Sequence, residues 1–336
     1  MDTCVGNLSL EALIEHMSSS IEITIITMST TSADGGATAV ANIMMCCASC
    51  GIKESDDIKL RTCTACKSVG YCSVKCQKEH RSQHKKACKK RAAELRDEIL
   101  FKQPESRHDG DCPICILPLP LDPRKSIVMT CCSKLVCKGC DHANQMHEFK
   151  GSLDPKCPFC RKPAPETKKD INMSKMKRIE ANDPLAMSEM GIKRYEEGDR
   201  SGAYEYWNKA AELGEADAHY HLSEYYRNEQ GVNNDEKKRL YHLEEAAIGG
   251  HPNARFNLGC HEGSKGRIER AMNHFIISAN LGHDGAIEVL KRYYAEGNVS
   301  KEDLAAALRA HQAAVDATNS PQREAEEKYA NQQGQW

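Results

Sequence analysis

The sequence predicts a multidomain chain in which two small metal-stabilised modules precede an all-α solenoid of helical hairpins. Sixteen of the eighteen cysteines lie in two blocks, residues 46–88 and 112–160. From residue 183 the cysteines nearly vanish and a repeat of 32–36 residues takes over. Across all 336 residues only 5% are aromatic and the mean hydropathy is −0.62, which suits several small or repetitive units better than one large core.

Spacing decides between disulfides and metal. The pairs 47/50, 63/66, 112/115, 137/140 and 157/160 are all C-x-x-C, the separation that presents two sulfurs to one ion. A secreted disulfide scaffold would come with a signal peptide, but "MDTCVGNLSLEALIEHM" is acidic rather than basic. "IEITIITM" at 21–28 is too short and too polar to span a membrane. The expectation is an intracellular chain, in cytoplasm or nucleus, without a membrane partner. The metal that suits cysteine and histidine in tetrahedral sites is zinc, and four ions are expected. Because only deprotonated sulfur ligates, fifteen thiolates and four ions take the formal charge from −2 to about −9, which gives the many nearby lysines a reason to exist.

Residues 1–44 are rich in Ser and Thr around "SADGGATA", a composition that predicts disorder, and no function is assigned to them. The first block follows at 45–90. Cys72 and Cys76 are four apart, as are His84 and Cys88, so each pair shares a helix face and can point to one ion. The pairs 47/50 and 63/66 complete two tetrahedral sites, one of four thiolates and one of three thiolates and an imidazole. Tyr71 is the only aromatic residue from 45 to 90, so the metal has to organise the fold. A structural zinc contributes roughly 10–16 kcal/mol, against about 3–5 from so small a core. "KKRAAELRDEILFK" extends the last helix to a linker before the second block, so 91–111 is read as helical extension and linker.

C-x-x-C, C-x-x-C, "YCSVKCQ" and H-x-x-x-C together resemble the MYND zinc finger. The resemblance implies interleaved ligand sets: Cys47, Cys50, Cys72 and Cys76 on one ion, Cys63, Cys66, His84 and Cys88 on the other. Cys46 is left out. That family commonly binds proline-containing peptides through a tryptophan whose place is taken here by Arg81. The lysine-rich helix also has the composition of a nucleic-acid patch, but basic residues beside anionic sulfur sites are expected in any case, and nucleic acid is not an expected partner. No stretch is free to hold the methyltransferase domain that accompanies some MYND fingers.

The second block, 112–162, contains "CPIC", "CCSKLVCKGC" and "CPFC" and resembles a RING finger of the all-cysteine kind. The resemblance implies a cross-brace, with Cys112, Cys115, Cys137 and Cys140 on one ion and Cys131, Cys132, Cys157 and Cys160 on the other. Adjacent Cys131 and Cys132 depart from the family spacing, Lys134 stands where a histidine is usual, and His142 is the alternative ligand. RING fingers dock a ubiquitin-conjugating enzyme and orient its thioester rather than supplying catalytic side chains. The matching contact positions are Ile114, Pro158 and Arg161.

A polar linker is expected at 163–182 and the repeats at 183–317. Ala186, Ala218, Ala254 and Ala286 recur at spacings of 32, 36 and 32, each followed four residues later by Met190, Leu222, Leu258 or Leu290. Such a period means stacked helical hairpins. "AELG", "AIGG" and "ANLG" end units on a glycine suited to a left-handed C-cap, and Asp183-Pro184 and Ser300 with Asp303 start helices. Tyr204, Trp207, Phe256 and Phe275 are expected between layers. The array resembles Sel-one-like repeats, short relatives of the tetratricopeptide repeat, which implies protein–protein scaffolding. Residues 318–336 read as a polar tail.

The expected whole is therefore two zinc-stabilised cross-brace fingers and an all-α helical-hairpin solenoid. The expected function is a RING-type ubiquitin ligase whose repeats select a protein partner; the alternative is a non-enzymatic scaffold built from the same modules.

Overall fold

The structure, a computed structural model, describes residues 46–120, 122–227 and 235–332. The N-terminal segment 1–44 lies outside the described residues. The chain divides into two compact units, 1–102 and 103–336.

In the first unit β1 (Arg61–Thr62) pairs antiparallel with β2 (Gly70–Tyr71), and a 27-residue helix α1 (Val74–Leu100) follows. Ser73 opens α1 by accepting the Cys76 amide, as an N-cap should. This cap fixes the phase of the helix, putting Cys76, His84 and Cys88 on the face that meets the strands. Tyr71 is buried among the cysteines, its hydroxyl 3.1 Å from His80 Nδ1. Beyond Cys88 the helix carries surface ion pairs, Arg91 with Glu94 and Glu98 among them.

The second unit opens with a hairpin of β3 (Ser126–Met129) and β4 (Lys134–Cys137), registered Ser126 to Cys137 and Met129 to Lys134. Cys131 and Cys132 sit in its turn, and Ser133 takes the left-handed conformation that closes it. Helix α2 (Lys138–Lys150) begins at once, with Cys137 as N-cap. Leu119, Val136 and Met129 fill the space among the sulfurs. The expected linker at 163–182 contains a helix, α3 (Lys168–Glu180). Its start is a full capping box between Thr167 and Asp170, and its body is made of good helix formers, so no apolar stripe was needed.

The repeats are all helical: α4 (Pro184–Glu196), α5 (Arg200–Glu212), α6 (Ala216–Arg227), α7 (Glu236–Ile248), α8 (Pro252–Ser264), α9 (Ile268–Asn280), α10 (Asp284–Ala295) and α11 (Lys301–Asp316). Hairpins α4/α5, α6/α7 and α8/α9 stack in sequence, and α11 packs on both α9 and α10. The four repeated alanines and the Met or Leu after each are buried, as the period requires. Gly214, Gly250 and Gly282 all have φ near +87°, where glycine carries no side-chain penalty. Asp183 caps α4, and His251 and His283 cap α8 and α10 through Nδ1, a role their residue type does not advertise. Residues 318–336, read as a tail, contain α12 (Pro321–Gln332), which packs on α2. Only Arg323 and Ala330 of α12 are buried, too little apolar pattern to announce a docked helix.

Candidate metal centres

Four C-x-x-C knuckles share one backbone shape. The carbonyl of the first cysteine accepts from the amide four residues on: Cys47 from Gly51, Cys63 from Lys67, Cys112 from Ile116, and Cys157 from Arg161. In each case that fourth residue has positive φ. Glycine meets this requirement at 51, while Lys67, Ile116 and Arg161 adopt it against the usual preference of L residues. The turn aims both sulfurs at the same point.

The structure gathers the metal-seeking side chains into four groups whose ligand atoms lie within 4.8 Å of one another: Cys47/Cys50/Cys72/Cys76, Cys63/Cys66/His84/Cys88, Cys112/Cys115/Cys137/Cys140 and Cys131/Cys132/Cys157/Cys160. Sulfur separations are 3.5 Å for Cys50–Cys72, 3.7 Å for Cys63–Cys88, 3.9 Å for Cys115–Cys137 and 3.3 Å for Cys131–Cys160, with Cys66 Sγ 3.3 Å from His84 Nε2. A disulfide needs about 2.05 Å, whereas the edge of a tetrahedron with ~2.3 Å zinc–sulfur bonds is roughly 3.8 Å. The donor sets and spacings fit zinc.

The sulfurs of a group do not ionise independently. Cys112 is pulled down to about 4, chiefly because the Cys137 thiol donates to it, with burial opposing and backbone amides assisting. Cys137 is pushed far up for the converse reason. Cys63 falls to about 6, led by the Cys66 amide, while burial and nearby sulfurs raise Cys88 to about 11. Four thiolates crowded together repel, and a divalent cation is what allows all of them to be charged at once.

The adjacent cysteines both reach the fourth group. His142 does not: its ring lies tilted against Tyr329 of α12 with centroids 4.7 Å apart, and Lys134 reaches over the Phe159 ring. Ile114 is 38% exposed on one knuckle. Pro158 lines a cavity of about 580 Å³ with Ile127, Phe149 and Leu153. Arg161 is turned toward α2, donating to Asn144 Oδ1 at 2.8 Å and lying 3.3 Å from the Glu148 carboxylate. Glu148 is only 3% exposed. Arg81 lies exposed on α1. Arg323 escaped sequence reasoning: it comes from 208 residues away and donates to Cys115 Sγ at 3.6 Å. No spacing rule could have announced it.

One further group, His108, Asp217 and His251, also lies within 4.8 Å. Its chemistry is that of a hydrogen-bond network. His251 Nδ1 accepts the Ala254 amide, so Nε2 carries the proton and donates to Asp217 Oδ1 at 3.2 Å, leaving no lone pair for a metal. The His108 ring stacks on His251 at 4.3 Å, fixing the segment before the second block to the repeats.

No helix among the described residues is long and apolar enough to cross a membrane. Chitin synthase regulatory factor 4 of Schizosaccharomyces pombe is 34% identical over 86 residues, a match that takes in 25% of this chain and 14% of that protein. The crystal structure of a Sel1 repeat protein from Oxalobacter formigenes aligns with 53% of this chain and 72% of its own, at 22% identity and a TM-score of 0.38. Residues 47–88 match the family model of the MYND finger, and with the paired sulfur groups found there, this chain contains a MYND zinc finger ahead of an all-α repeat region.

Proposed function

We propose that this is a modular protein-interaction protein holding four structural zinc ions, with a second finger of RING type that docks a ubiquitin-conjugating enzyme. The sixteen side chains of the four groups are its ligands. Domain limits follow the sequence reading: MYND finger at 45–90, RING-type finger at 112–162 and Sel-one-like repeats at 183–317. Zinc here supplies charge compensation and rigidity, and the chain's own residues supply the contacts.

The observation that carries the RING reading is the interleaving of the second block. Cys112/Cys115 converge with Cys137/Cys140, and the intervening Cys131/Cys132 converge with Cys157/Cys160, around a hairpin and one helix. This order leaves Ile114 and Pro158 on separate knuckles at the surface, the two positions expected to meet the enzyme. The repeats and the MYND finger would choose the protein to be modified.

A second reading, a scaffold without ligase activity, is favoured by Arg161. Its guanidinium is spent on Asn144 and Glu148 rather than held toward solvent for a thioester complex. Autoubiquitination by the full chain against a broad panel of conjugating enzymes separates the two. Stimulated discharge by at least one enzyme supports the ligase. Neither binding nor discharge across the panel leaves the scaffold.

A further inference from the structure

Arg323 is 7% exposed, and among the described residues no carboxylate pairs with it, the partner a buried arginine normally needs. Nη1 donates to the carbonyls of Pro118 at 2.8 Å and Thr318 at 2.5 Å, while Nη2 donates to Leu117 O at 3.4 Å and Cys115 Sγ at 3.6 Å. These partners are three carbonyls and a sulfur, with no carboxylate among them. The compensating charge has to come from the sulfurs: four thiolates around one divalent ion carry a net charge of −2. Gly139 makes the approach possible. It precedes Cys140, and a β-carbon there would lie 2.8 Å from Arg323 Cα.

We propose that Arg323 is the outer-sphere partner of the zinc ion held by Cys112, Cys115, Cys137 and Cys140, so that ion retention and docking of α12 are one equilibrium. The proposal rests on the reading of this group as a zinc site. Arg323 is a positioning residue: one donor lowers the charge on Cys115, and the others clamp the chain at Leu117 and Pro118 just after the knuckle. A hydrogen bond to a ligating sulfur holds it in place and slows its departure from the metal. By linkage, whatever the helix contributes to zinc retention, zinc contributes equally to helix docking.

The full chain is tested in both directions. Zinc is counted, then its loss to a chromogenic chelator is timed, and hydrogen exchange is followed over 321–332. Wild type should hold four ions. Arg323→Gln should release one of them at least tenfold faster, and Arg323→Lys should fall between the two. Glu327→Gln, which removes only the exposed pair with Lys125 at 2.7 Å, should stay within threefold of wild type. Cys115→Ser should in turn speed exchange over 321–332 at least tenfold. In the cobalt-substituted chain, Arg323→Gln should move the sulfur-to-cobalt charge-transfer band to lower energy, which a packing role would not do. Faster helix exchange in Arg323→Gln with unchanged zinc release and an unmoved band overturns the proposal, as does no change in any readout. A wild-type chain holding only two ions removes the zinc reading of the second block and this proposal with it, whereas four ions with an indifferent Arg323 removes the proposal alone.

Discussion

Gly139 lies so close beneath Arg323 that a β-carbon on it would stand 2.7 Å from the Arg323 backbone nitrogen. Backbone cannot swing aside as a side chain can, so Gly139→Ala should push α12 off α2 at a cost of about 1–3 kcal/mol. Hydrogen exchange should quicken over 321–332 while the MYND finger stays as protected as in wild type.

Metal removal should separate the modules. Chelation should abolish protection over 46–88 and 112–160 but leave most of the helical circular dichroism, because solenoid units draw their stability from neighbouring units. Loss of the entire helical signal on chelation would contradict that independence.

Leu222→Ala probes the array from the other side. Leu222 is fully buried between layers, so truncation should cost about 2–5 kcal/mol, lowering the thermal midpoint of the repeats without changing zinc content over 46–88.

The repeats should weaken as the solution is acidified. Burial, reinforced by positive neighbours, lowers His242 to about 4; burial also lowers His251 to about 4, against the pull of Asp217. A histidine with a depressed folded value is charged more readily in the unfolded chain, so its stability is present above 6.5 and is lost between about 6.5 and 4. The loss is on the order of 3 kcal/mol at full effect for the buried His251, and smaller for the partly exposed, solvent-screened His242. His108 acts in the opposite sense, its value raised by Asp109 and Asp217 despite burial, and offsets part of the drop. His242→Phe should flatten the pH dependence of repeat unfolding followed by hydrogen exchange; a profile identical to wild type would exclude this residue as a source.

If the second finger docks a conjugating enzyme, Ile114→Ala should weaken docking by about 1–3 kcal/mol and be rescued by excess enzyme. Arg161→Ala should behave differently from a pure contact mutation. Without the guanidinium, the Glu148 carboxylate is buried with one oxygen unpaired, so the finger itself should lose about 1–3 kcal/mol. Thermal unfolding of both variants tells a contact from a brace.

What the sequence disclosed was whatever repeats at fixed spacing. The C-x-x-C pairs, the i,i+4 pair His84/Cys88 of α1 and the alanine period all reflect local geometry, and the structure brings each set together; Cys72, expected on the same helix face as Cys76, instead precedes the Ser73 cap and reaches its group from outside the helix. What stayed hidden depends on long separations or unmarked residue types. Arg323 reads as one more surface arginine until α12 is docked, and α3 reads as a linker because its only strong signal is Thr167 with Asp170. His251 and His283 cap helices with a ring nitrogen, where an aspartate would have been legible.

The second unit has a mechanical consequence. Its chain touches the second cysteine block before the repeats begin, where Arg178 donates to Ser133, and again after they end, at Arg323. A free solenoid behaves as an open spring that lengthens under tension by opening its layers slightly. Here the coil is clasped end to end, and a pull applied across it meets the clasp first. Detaching α12 should therefore free one end of the array while Arg178 still ties the other to the second cysteine block, which makes that helix the latch on one end of the coil.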